Sequence, residues 1–179
     1  LTSRGSRFNS FSGGEPGKVN SKEWQYTNHK NIRNFIRKWG TMVNHDKHMM
    51  PVVSPKYDIG FVVKNCDYQH LYELEPWCST IYMDTWGWKQ YIEEEQKNTT
   101  MDLGERVKSK IDYEPYNDII VEFDIKEFTP QQFNYIAQLS EILANDEELE
   151  VGEFDLGIFK ITINKIKTYE EDLIKCHMT

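Results

Sequence analysis

Tyr57-Asp58-Ile59-Gly60-Phe61-Val62-Val63 decides the fold class. The run is nearly continuous in apolar character rather than alternating, the pattern of a strand covered on both faces, as in a largely parallel sheet. Downstream of it, helix-like and strand-like stretches take turns. Asp67 can cap a short helix that carries Leu71 and Leu74 and is ended by Pro76. Thr80-Ile81-Tyr82-Met83 reads as a second strand, 88–110 as mostly helix broken around Asn98-Thr99-Thr100, and 119–123 as a third strand. Thr129 followed by Pro130 is the cap-then-first-turn order of a helix with Phe133, Ile136, Ala137 and Leu143 on its apolar face. A fourth strand region spans 154–163, where the alternation shifts near Gly157-Ile158 and predicts a bulge or bend. A last helix is expected over 168–176. This order predicts an α/β domain over 57–179, built on a mostly parallel sheet of about four strands with helices on its faces.

Upstream, residues 1–56 form a different kind of segment. They hold ten Lys/Arg against three Asp/Glu, a formal +7, whereas 57–179 hold eleven against twenty-six, a formal −15. A step of that size points either to an anion-binding front end or to an electrostatic match inside the protein. Within the segment, Ile32, Phe35, Ile36 and Trp39 recur at helical spacing, and Asn28, Arg37, Lys38 and Gly40 suit the start, the last turn and the close of a helix over 28–40. Residues 1–20 are rich in Ser, Gly and Asn and read as an extended arm. The stretch 12–18 is not a phosphate-binding loop: Ser12 stands where the first glycine is required and Val19 where Ser or Thr must follow the lysine.

Bulk composition narrows the classes. Of the 179 residues 39% are hydrophobic and 13% aromatic, with five Trp, too much apolar material for a disordered chain. No apolar run approaches the roughly 20 residues that cross a bilayer, and no secretory leader is expected. Cys66, Cys78 and Cys176 are odd in number and widely spaced, which suits buried thiols in a cytoplasmic setting better than a disulfide framework.

Three constellations carry candidate chemistry. His45, Asp46 and His48, joined by His29 if the fold allows, offer imidazole and carboxylate ligands to a divalent metal, although their spacing matches no closed metal motif. Asp84 and Asp124 follow the second and third strands, and Lys64, Asn65 and Asp67 the first, where ligands of open parallel sheets bind; Asp and Asn also end strands for turn-forming reasons alone. The basic, aromatic residues of the front segment, among them Arg4, Lys30, Arg33, Trp24 and Tyr26, suit phosphate or stacked bases, with Trp24 and Tyr26 sharing one face of an extended stretch. Trp39, by contrast, is expected in the core.

The segment Asn31-Ile32-Arg33-Asn34-Phe35-Ile36-Arg37-Lys38-Trp39-Gly40 resembles the region near the C-terminal end of family-2, GT-A-type glycosyltransferases, in which an Asn-rich helix ends in Lys-Trp-Gly. His29 occupies the place of a histidine that helps hold the metal–diphosphate in that family, and Leu1-Thr2-Ser3-Arg4 looks like the tail of the helix carrying its catalytic base. The resemblance covers about the first 40 residues. It implies a nucleotide-sugar transferase using Mn or Mg, of which this chain is the C-terminal part plus an additional α/β region; the nucleotide-binding half with its Asp-x-Asp motif would precede Leu1. The substrate-binding residues expected on this reading are Arg4, Lys30, Arg33, Asp84 and Asp124. The competing expectation is a non-enzymatic interaction or assembly protein, of viral type, whose arm binds an acidic protein or nucleic acid.

Overall fold

A computed structural model describes residues 22–52, 54–146 and 149–169. The arm over 1–20 and the last helix expected over 168–176 therefore lie outside the described residues, apart from Thr168 and Tyr169. Helix α1 (Lys22–Trp39) leads into a small antiparallel hairpin, β1 (Asn44–His45) with β2 (Pro51–Val52). The α/β body then runs β3 (Ile59–Lys64), α2 (Tyr68–Leu74), β4 (Thr80–Met83), α3 (Trp88–Glu95), α4 (Leu103–Arg106), β5 (Val107–Ser109), β6 (Ile119–Asp124), α5 (Pro130–Asn145), β7 (Gly152–Leu156) and β8 (Phe159–Ile163).

Among the described residues the sheet has six strands, in the order β5-β4-β3-β6-β8-β7. Its β5-β4-β3-β6 portion is parallel, but β8 pairs antiparallel with both β6 and β7. The expected mostly parallel sheet of about four strands is thus corrected to a mixed sheet of six. Two misread signals account for the difference. The shift at Gly157-Ile158 is a full reversal: Gly157 sits at φ 63, in the left-handed region that glycine tolerates, and the chain folds back as the β7–β8 hairpin. The other is β5, three residues long with Val107 as its only aliphatic residue, too short to register against the helical stretch before it.

Alternation puts Ile59, Phe61, Val63, Ile81, Met83, Ile119, Val121, Phe123, Phe159 and Ile161 on one face, where they pack with Ile36 of α1, Leu71 and Leu74 of α2, Tyr91 of α3 and Ile136, Leu139 and Leu143 of α5. The described helices that contribute to this core do so on that face alone, not on both as expected. The other face is crossed near β3 and β4 by the segment 110–118. There Asn117 donates to Asp58 Oδ1 (2.7 Å) and accepts from the Tyr82 hydroxyl (3.1 Å). Gly60 is required beneath it, because a side chain there would overlap that of Asn117. This is how a continuous apolar run arises without helices on both sides of the sheet.

α1 begins six residues before Asn28, so Trp24 and Tyr26 are helical rather than extended. It is also seated differently from its apolar stripe. Ile36 is buried, but Trp39 is 40% exposed, and the side chain most completely covered is Arg37 at 1%. Gly40, at φ 75, closes the helix with its N–H on the Ile36 carbonyl (2.6 Å).

Candidate functional site

The parallel strands present their carboxyl ends along one edge, and the chain order reverses between β3 and β6: from β3 it steps outward through β4 to β5, then returns to the opposite side of β3. Crevices at such reversals are where open α/β sheets bind ligands. Three loops meet here. Asn65, just past β3, sits at φ 56, a conformation that asparagine tolerates better than most side chains. Its backbone N–H donates to Asp84 Oδ2 (3.0 Å) beyond β4, and its side-chain amide donates to Asp124 Oδ2 (2.8 Å) at the end of β6. One asparagine therefore holds both carboxylates. Asp124 Oδ1 also accepts the Lys126 N–H (2.9 Å). That bond, the Asn65 amide and the charges of Lys126 and Lys64 keep the Asp124 carboxyl below its ordinary range. Thr85 donates to the Cys66 carbonyl and ties the β4 loop to the β3 loop. Next to it Trp86 stands 71% exposed, with the Lys89 ammonium 5.9 Å from its ring.

On the helical side of this edge a groove of about 680 Å³ opens between α2 and the start of α5, lined by His70, Glu73, Ile125, Phe128, Thr129, Pro130, Phe133 and Asn134. His70 is turned by the N-cap of α2: its Nδ1 lies 2.8 Å from Asp67 Oδ1 and 3.3 Å from the Asp67 N–H. Both contacts engage Nδ1 and leave Nε2 outside the pair.

The structure brings Asp84 and Asp124 together and separates most of the remaining expected site residues. Arg33 forms a two-pronged pair with Glu95 (2.8 Å for each bond), so its guanidinium is already engaged. Arg37 lies between Glu75 (2.8 Å) and Glu95 (2.9 Å), with the Tyr91 hydroxyl at 3.0 Å; Arg106 pairs with Glu75 from the other side. Burial alone would raise the Glu75 carboxyl, but Arg106 and Arg37 outweigh it and hold the group low. This part of the basic front is neutralised by the protein's own carboxylates. Lys30 sits on α1, and Arg4 lies outside the described residues. His29 is on α1, while His45, Asp46 and His48 belong to the exposed β1–β2 hairpin. Asp46 Oδ1 is occupied by the N–H groups of His48 (2.8 Å) and Met50 (2.9 Å). Among the described residues no three His, Cys, Asp or Glu are placed to hold a metal ion, these four included.

Sequence reading placed Asn65 at a strand end without its linking role, and passed over Lys126, Trp86 and the His70 groove. Asn65 and Trp86 carry faint signals, an asparagine directly after a strand and a tryptophan two residues beyond Asp84. The groove carries none, because its walls, His70 and Glu73 on one side and 125–134 on the other, are distant in sequence and meet only through the sheet. Compared with known proteins, the chain matches no family model, and no curated protein or solved structure significantly. No described helix is long and apolar enough to cross a membrane.

Proposed function

We propose that the protein handles a nucleotide-activated sugar, as a transferase or as the C-terminal part of one, and that this chain engages the ligand at the carboxyl edge of its sheet. The observation that carries the reading is the Asp84–Asn65–Asp124 link at the chain reversal, flanked by Lys64, Lys126 and an exposed tryptophan. Carboxylates there accept sugar or ribose hydroxyls, the ammonium groups meet phosphate oxygens, and Trp86 offers a ring to a base. A divalent cation brought with the nucleotide would meet carboxylates at this edge. Mg²⁺ and Mn²⁺ take one or two carboxylates and complete their shell from phosphate and water, which Asp84 and Asp124 would allow. When bound, such an ion would stabilise charge developing on a departing diphosphate.

Calorimetric titration with a panel of nucleotide sugars, with and without Mn²⁺, tests the reading. Binding by the native protein is expected, weakened at least roughly tenfold in Asp84→Asn and Asp124→Asn, one lost charged hydrogen bond each. His29→Ala and His45→Ala are expected to bind as the native protein does. Absence of heat across the panel overturns the proposal.

One observation favours the competing reading of an interaction protein: Met42, Val43, Met49, Met50 and Val52 all stand exposed on and around the β1–β2 hairpin, Met49 by 76%. Methionine-rich apolar surface of this kind suits adaptable protein contacts. Loss of a co-purifying protein partner on Met49→Ser/Met50→Ser, with nucleotide sugars ignored, would favour that reading instead.

A further inference from the structure

We propose that the groove between α2 and α5 is a saccharide-binding site, the seat of the acceptor sugar; this rests on the nucleotide-sugar reading for its role but not for its chemistry. The groove is large enough for one or two sugar rings, at about 680 Å³. Its walls mix two kinds of surface. Phe128 and Phe133, half-buried and set edge to face at 6.4 Å, supply an aromatic floor anchored to the core, suited to the apolar C–H face of a sugar ring. Around that floor stand polar groups left unused by the fold. The Glu73 carboxylate and the Asn134 amide form no hydrogen bond or ion pair among the described residues, and Nε2 of His70 lies outside the contact that its Nδ1 makes with Asp67. A carboxylate accepts, a primary amide both donates and accepts, and an imidazole nitrogen does either, which is the mixture that a ring of hydroxyls satisfies.

Position adds to the argument. Ile125 of the groove directly follows Asp124 of the carboxyl edge, and His70 belongs to the helix capped by Asp67, two residues beyond Asn65. The groove and the edge are built from the same two connections, those after β3 and β6. A sugar in the groove would lie next to the edge that holds the nucleotide sugar, and two substrates so placed need no further search to meet.

Saturation-transfer NMR on the whole chain, with glucose, galactose, N-acetylglucosamine and lactose at millimolar concentration, tests the site. Transfer to ring protons of at least one sugar is expected, with binding reduced roughly tenfold in Glu73→Gln/Asn134→Ala, the loss of one or two ligand hydrogen bonds. Both positions are exposed, so native thermal unfolding is expected for that variant and checks its fold. Asp84→Asn serves as the crossed control: it should lose nucleotide sugar and keep free saccharide. No transfer to any sugar, or transfer unchanged in the double variant, overturns the inference while leaving nucleotide-sugar binding to stand or fall by its own titration. Saccharide binding without nucleotide binding would keep the groove and remove the transferase role.

Discussion

Arg37 shows how much a single side chain settles. It is nearly inaccessible to water, and it balances two buried carboxylates from α3 and from the turn after α2, Glu95 and Glu75. Removing one partner of such a set strands the others. Arg37→Ala is expected to cost about 3–5 kcal/mol, read by urea unfolding; a loss below about 1 kcal/mol would mean that Arg106 and Arg33 alone suffice. The same carboxylates set the acid limit. Both are held below their ordinary values, Glu75 by Arg106 and Arg37, and Glu95 by hydrogen bonds from Arg33, Asn98 and Arg37. A depressed folded value contributes stability above the unfolded value, near about 4.3 for glutamate, and loses it as pH falls through the folded value. Stability should therefore be level from neutrality to about pH 5 and decline below it; native-like stability retained at pH 3 would contradict that. None of this was visible in the helical stripe, which ranks Trp39 as core and arginine as solvated, because a hydrophobic pattern cannot show that partners 38 and 58 residues away neutralise a charge.

At the scale of elements, the local rules worked where a signal lay within one turn or one strand. The α2 cap at Asp67, with N–H donors from Gln69 (2.9 Å) and His70 (3.1 Å), and the Thr129-Pro130 start of α5 stand where the sequence places them. The β7–β8 hairpin is the instructive miss, since a phase shift of alternation looks the same for a bulge and for a tight reversal. Its turn depends on Gly157 at φ 63, and no neighbour lies within 4 Å of an added Cβ, so the cost of a side chain there is conformational alone. Gly157→Val is expected to lose about 1–2 kcal/mol in thermal or chemical unfolding. An unchanged midpoint would show that the turn readjusts. Gly60→Ala on β3 is the steric counterpart: it should cost about 1–3 kcal/mol by overpacking, and less when made in an Asn117→Gly background, which removes the overlapping side chain at the expense of its own buried hydrogen bonds.

Across the whole molecule, one core joins α1, the sheet and α5, so the buried thiols report on the complete fold. Burial pushes the Cys66 thiol up to about 12, and that of Cys78 also well above its ordinary value. In a Cys176→Ser background, a thiol reagent at pH 8 should leave both unreacted in the native protein and label them in step with global unfolding in urea; rapid native labelling would indicate local opening of the β3–α2 connection. The amino-acid sequence by itself determined the α/β class, most of the strands and helices, the step in charge and the two aspartates at strand ends. Those depend on propensity, period and caps, which act over a few residues. Only the tertiary structure decided that the sheet is mixed, that the described helices cover one face, that Arg33 and Arg37 are consumed by ion pairs, and that Asn65 gathers Asp84 and Asp124 beside a groove. Each of those is a meeting of distant segments, fixed by strand order and by the need to neutralise buried charge, and neither quantity is written in any local stretch.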